Sequence, residues 1–362
     1  MGFTCGIVGL PRVGKSTIFR AITAGGAAEH TPPSSPLEPD RLVVDVPDPR
    51  LDALVALYHP KSTVHAKLEV VDIAGVQKGA SRGEGLGNQF LGHIKDTEAL
   101  LHVVRCFDNP NVPHVHETLD PVRDVEEVEL ELAFKDAETV GNKITRLAKK
   151  AKGDKDAAAE LAACETVKAG LEAGAPARAQ ELSDAERAAV RECNLLTLKP
   201  VLFVANVAEG EGEDAAPVQA LRAMAEATGA GLVALAGRAE ADIAELDPED
   251  RQEFMDALGV AELSLDRLIH EGYRTLGLAT MFTAGEDECR AWTIRAGSKA
   301  PQAAGKIHTD MEKGFIRMEV TPVETLLELG GETQAKAAGK TRLEGKDYIV
   351  QDGDVAVVRF AK

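Results

Sequence analysis

Apolar positions in the first two-thirds of this chain follow two alternating rhythms. Short apolar runs at residues 5–8, 99–107 and 200–206 read as buried strands, and 67–73, 42–46 and 231–235 as further strands. Between them, residues 17–22, the proline-opened 49–57, 215–228 and a mostly helical stretch from 239 to near 278 carry helical spacing. Strands alternating with helices imply an α/β fold with a doubly wound, mostly parallel sheet. Residues 124–199 break the alternation: they are rich in Ala, Glu, Lys and Leu, with Pro176 the one interruption, and predict a helical pair projecting from the sheet. From residue 279 the rhythm shortens. Residues 280–283 and 289–294 predict a hairpin, and 347–350 and 355–360 flank the turn Gln351-Asp352-Gly353-Asp354. The expected domains are therefore 1–123 with 200–277, an inserted helical domain at 124–199, and a small mixed α/β domain at 278–362.

The chemistry begins at the first strand. Gly9-Leu10-Pro11-Arg12-Val13-Gly14-Lys15-Ser16-Thr17 fits G-x-x-x-x-G-K-[ST] and lies in the strand, loop, helix context that motif requires. Gly9 and Gly14 allow a tight turn that aims successive N–H groups at phosphate oxygens, and the new helix adds its positive end. Lys15 would reach the β- and γ-phosphates and the Ser16 hydroxyl would ligate Mg²⁺. Asp72, at the end of another apolar run, stands where a carboxylate holds the magnesium shell, and Gly75 of the same Asp-x-x-Gly could offer its N–H to a γ-phosphate. Two loop-like stretches follow these elements, 24–40, rich in Gly, Pro and Ser, and the Gly-rich 78–88. Both read either as surface loops or as segments that sense the nucleotide.

Composition narrows the partners. Lys+Arg 41 against Asp+Glu 59 leaves −18, which excludes wrapping nucleic acid by bulk charge. Arg146, Lys149, Lys150, Lys152 and Lys155 nevertheless form a basic cluster at the predicted tip of the helical pair, either a solvated face or a contact for RNA. Five scattered cysteines suggest neither a disulfide framework nor a zinc site, so a reducing cytoplasm is the expected location. No 18-residue apolar span is present, and no membrane association is expected.

With these residues assembled, the chain resembles the YchF subfamily of Obg-related P-loop NTPases along nearly its whole length. The resemblance is carried by the phosphate loop, Pro47-Asp48-Pro49-Arg50-Leu51-Asp52, Asp72-Ile73-Ala74-Gly75, residues 78–88, Val104-Arg105-Cys106-Phe107, Asn206-Val207-Ala208-Glu209, residues 300–310 and Glu344-Gly345-Lys346-Asp347-Tyr348. It implies a nucleotide-binding G domain, an inserted helical coiled coil, a C-terminal ubiquitin-like TGS domain, and a monomer that binds the ribosome, on its large subunit or intact. The nucleotide-binding set is then Arg12, Val13, Gly14, Lys15, Ser16, Thr17 and Gly75 for phosphate, with Asn206, Val207 and Glu209 for the base. Ser16 and Asp72 are the expected metal ligands.

Base choice follows from the same resemblance. GTPases read guanine with Asn-Lys-x-Asp; here Val207 replaces the lysine and the longer Glu209 the aspartate, a change the family associates with ATP in preference to GTP. Val76 stands where a water-positioning glutamine often sits, and the resemblance nominates His114 as a mobile catalytic group beside Lys15. Two departures stand out. Pro36 occupies the position of the family's switch threonine and offers neither hydroxyl nor N–H, and Arg12 replaces an asparagine in the phosphate loop. The expected activity is slow, Mg²⁺-dependent ATP hydrolysis by a ribosome-associated switch. The alternatives are a nucleotide-binding docking module with little hydrolysis and a GTP-preferring GTPase.

Overall fold

The computed structural model describes residues 3–25, 29–31, 38–73, 86–247, 249–251, 253 and 264–361. Contacts divide them into two compact units. The first holds residues 1–44 and 69–275 and is built on a seven-stranded sheet. Its strands are β1 (Phe3–Val8), β2 (Glu29–Thr31), β3 (Asp40–Val46), β5 (Ala66–Asp72), β6 (Ala99–Arg105), β7 (Val201–Asn206) and β8 (Gly231–Leu235), in the order β2-β3-β5-β1-β6-β7-β8. β1, β6, β7 and β8 run parallel, whereas β2 pairs antiparallel with β3 at the edge. Every residue of β1, β6 and β7 is buried, as their unbroken apolar runs require of strands covered on both faces. Helix α1 (Lys15–Gly25) places Ile18 and Ile22 in this core and packs on the helix Gly237–Ala244.

The insert is a helical hairpin. A 30-residue helix, Pro121–Lys150, opens on Asp120, whose side chain accepts from the Arg123 N–H, and a proline takes the first turn, where a missing N–H is harmless. Residues 151–154 lead into a second helix, Lys155–Glu172, capped by Asp154. Val140 and Leu147 of the first close on Cys164, Val167 and Leu171 of the second. One polar group sits inside the base of the insert. Asp136, fully buried, accepts from the backbone N–H groups of Leu196 and Thr197, both at 2.8 Å, and from Thr197 Oγ1 at 2.6 Å. Burial raises its pKa and these hydrogen bonds oppose the rise, so the carboxylate fastens the returning chain to the long helix.

The second unit comprises residues 45–68 and 276–362. Its six-stranded sheet has the order β12-β11-β13-β9-β10-β4, with β4 (Ser62–Val64), β9 (Leu278–Thr283), β10 (Glu288–Arg295), β11 (Phe315–Pro322), β12 (Arg342–Glu344) and β13 (Asp354–Phe360). The predicted hairpin is present as β9 and β10, with Thr280 opposite Thr293. The predicted pairing of 347–350 with 355–360 is corrected: β13 pairs antiparallel with β11 and parallel with β9. The groups of 347–350 are taken by another segment, since the Ala300 N–H donates to Tyr348 O and the Val350 N–H to Ser298 O.

Residues 45–68 also depart from the sequence-drawn boundary. The helix α2 (Pro49–Tyr58) packs on β10, and β4 pairs parallel with β10. Arg50 explains the attachment. Its guanidinium holds Asp48 at 2.8 Å and Asp352 at 2.7 Å and lies 5.2 Å from the centre of the Phe282 ring.

Candidate nucleotide site

The phosphate loop begins where β1 ends, at the carboxyl edge of the parallel strands, the edge at which open α/β sheets bind ligands. Gly9 and Gly14 have φ of +146° and +103°, which L side chains rarely adopt. A Cβ on Gly9 would collide with the Val103 carbonyl, and one on Gly14 with the Asn206 side-chain amide. Both glycines are therefore required by the turn itself. Arg12 is also left-handed, at φ +64°, and its exposed side chain donates to the Pro113 carbonyl at 3.4 Å.

Lys15 lies under the loop. Its ammonium donates to the carbonyls of Leu10 at 2.8 Å and Gly9 at 3.2 Å, and only 7% of the residue is exposed. Burial lowers its pKa to about 8, against the opposing charge of Asp72. The loop thus presents a cation already stripped of water, which strengthens its attraction for phosphate.

Ser16 and Asp72, 56 positions apart in sequence, meet at the carboxyl edge: Ser16 Oγ donates to Asp72 Oδ2 at 3.1 Å. Two adjacent oxygens around an octahedral Mg²⁺ are separated by roughly 2.9 Å. This pair fits that spacing, and so few protein ligands suit a cation that keeps its waters and substrate oxygens. Among the described residues no cluster of three or more His, Cys, Asp or Glu could hold a metal by itself.

Asn206 stands at the end of β7. Its Nδ2 donates to the Val13 carbonyl at 2.9 Å and its Oδ1 accepts from the Gly237 N–H at 3.0 Å, with 6% of the residue exposed. Asn206 thus braces the phosphate loop against the helix Gly237–Ala244, a role compatible with base contact because a side-chain amide carries two donors. Val207 is buried as well, and its N–H donates to Leu235 O. Glu209 is exposed just beyond the end of β7. Val13 is buried and Thr17, in the first turn of α1, is half-buried. Gly75, Val76, Pro36 and the stretch 78–85 lie outside the described residues.

His114 packs against the first turn of the long helix. Its side chain is 7% exposed, and Nε2 stands 3.0 Å from Asp124 Oδ2, within ion-pair range but off hydrogen-bond alignment. Its Nδ1 accepts from the His116 N–H at 3.3 Å. Burial depresses the imidazole pKa, aided by Arg105, His116 and Arg123 and opposed by Asp124. Arg105, at the end of β6, fixes the same loop by donating to the carbonyls of Phe107, Asn109 and Val112. Asp124, Arg105 and Gly237 had no periodic signal in the sequence; only the lone Asp in a helical first turn hinted at Asp124.

Comparisons with known proteins identify the family. A family model described as 50S ribosome-binding GTPase matches residues 4–143, and one named YchF-GTPase_C, described as a protein of unknown function, matches residues 278–361. Proteins named ribosome-binding ATPase YchF are 52% identical over 356 residues in Escherichia coli O157:H7, covering 98% of each chain, and 49% identical over 364 residues in Bacillus subtilis, covering 99% of this chain and all of that one. The chain belongs to the YchF family. A solved structure described as the Schizosaccharomyces pombe YchF GTPase is 38% identical, covers 99% of this chain and 98% of its own, and superposes with a TM-score of 0.85. The YchF fold, with its phosphate loop, nucleotide-binding first unit and family-specific C-terminal unit, is thereby established for this chain.

Proposed function

We propose that this YchF protein is a cytoplasmic, monomeric, Mg²⁺-dependent ATPase of slow turnover that acts as a nucleotide-controlled switch on the ribosome. The observation that carries the reading is the convergence of the buried Lys15 ammonium, the Ser16 hydroxyl and the Asp72 carboxylate around one glycine turn. Ribosome association rests on relatives named ribosome-binding ATPases, which match along 98% or more of their length.

Lys15 exchanges the carbonyls of Gly9 and Leu10 for β- and γ-phosphate oxygens, while the loop N–H groups around Val13 and Gly14 cradle the phosphates. Ser16 and Asp72 are the residues that would hold Mg²⁺. The ion, when bound, supplies charge neutralisation to the phosphates. Asn206 keeps the loop in shape, and with Val207 and Glu209 it selects the base. Replacing Lys15 with Ala and measuring ATP affinity and ribosome co-sedimentation tests the assignment. Loss of both is expected; unchanged nucleotide affinity would refute it.

A second reading has an observation in its favour. His114 is buried beside Asp124 at the foot of the long helix, so a chain that binds nucleotide and barely cleaves it also fits. Single-turnover hydrolysis with and without ribosomes separates the two: cleavage above buffer supports the ATPase, and none supports the binding module.

A further inference from the structure

Away from the phosphate loop, the first unit contains a second concavity of about 490 Å³ between the two long helices and the end of the helix Leu86–Lys95. Lys95, Lys143, Arg146 and Lys150 line it, together with the carboxylates of Glu160 and Glu192. Lys143, Arg146 and Lys150 follow one another at helical spacing on one face of Pro121–Lys150, so their side chains converge instead of spreading round the helix. Lys143 is accounted for: its ammonium donates to Ala189 O and pairs with Glu160, both at 2.6 Å. Lys95, Arg146 and Lys150 form no salt bridge among the described residues, and Arg146 donates only to the Asn142 carbonyl of its own helix.

In a chain of net charge −18, this lining gathers four cations against two carboxylates, one of which is taken by Lys143, and an entering anion would offset the excess. The volume suits a nucleotide-sized small molecule. Of the two lining carboxylates Glu160 is paired with Lys143, and Glu192 can accept a hydrogen bond from a hydroxyl or amino group of a small ligand. We propose that this pocket binds a small phosphorylated ligand carrying at least two phosphate charges, at a site separate from the phosphate loop.

Calorimetric titration of the full chain with inorganic pyrophosphate tests it. Two sites are expected in the unaltered protein. One should remain in Lys15→Ala, one in Arg146→Ala with Lys150→Ala, and none in the triple variant. The paired change should weaken the second site roughly tenfold or more, as the loss of two charge-assisted contacts implies. Lys152→Ala with Lys155→Ala, outside the pocket lining, should leave both sites intact. Because the pocket is read from the double variant, failure of Lys15→Ala to fold does not remove the test, and failure of the ATPase reading leaves it standing. A single pyrophosphate site lost with Lys15→Ala, or a second site indifferent to Arg146 and Lys150, would overturn the proposal. So would a single-stranded RNA oligomer that binds through Arg146 and Lys150 while pyrophosphate does not, which would make this an RNA surface.

Discussion

Asn206 and Val13, 193 positions apart, are joined by a 2.9 Å hydrogen bond from the side-chain amide to the loop carbonyl. The same side chain accepts from Gly237, so one residue at the end of β7 secures both the phosphate loop and a neighbouring helix. Asn206→Ala should lower unfolding free energy by about 2 kcal/mol, from two lost buried hydrogen bonds, and weaken ATP binding at the same time. Asn206→Asp keeps the Gly237 acceptor but sets a carboxylate against the Val13 carbonyl, and should recover little nucleotide affinity. Urea denaturation and equilibrium binding on the same samples check both.

Lys15 makes the site sensitive to alkali. Its proton is held to about 8 in the folded chain against 10.5 when unperturbed. Between those values the unfolded chain binds more protons, so the Lys15 contribution to stability rises with pH. ATP affinity should fall across the same window as the ammonium is lost. Melting temperature and affinity measured from pH 7 to 10 should diverge, and Lys15→Met should abolish both trends.

The buried His102 acts at the acid end. Burial holds its pKa at about 3, against an ordinary 6.5, so the unfolded state takes up a proton that the folded state refuses. Its contribution to stability is present above pH 6.5 and is lost as pH falls toward 3. His102→Phe, placed beside Phe203, should reduce acid sensitivity in urea titrations between pH 4 and 7.

His114 and Asp124 yield a kinetic prediction. Asp124 opposes the fall in the imidazole pKa, so Asp124→Asn should lower it further. If His114 takes part in hydrolysis, the acid limb of the single-turnover rate should move to lower pH in Asp124→Asn and vanish in His114→Ala. A profile untouched by either change would assign both residues to holding the loop.

Asp136 should matter more for folding than for nucleotide. Asp136→Ala strands the buried N–H groups of Leu196 and Thr197 and should cost about 3 kcal/mol. Asp136→Asn retains one acceptor and should cost less. Chemical denaturation distinguishes them, with ATP affinity as a control that should change little.

Much of this was written in the chain as local pattern. β1, β6 and β7 announced themselves because strands buried on both faces need continuous apolar runs, and the phosphate loop because its glycines are fixed by backbone geometry. What stayed hidden depends on partners far along the chain. Residues 347–350 look like a strand, yet their hydrogen bonds go to 298–300. The role of Asn206 could not be read from its neighbours, since an amide side chain is defined by what stands opposite it. The attachment of 45–68 depended on Arg50 finding Asp352, 302 positions away.

That last attachment has a consequence for synthesis. A ribosome releases α2 and β4 early, but β10, against which both lie, arrives more than 200 residues later. A shortened product ending before residue 278 would leave this early segment with no sheet to join, so cutting away the C-terminal region damages an internal stretch as well as the end. The second unit completes itself only after β13 has been made.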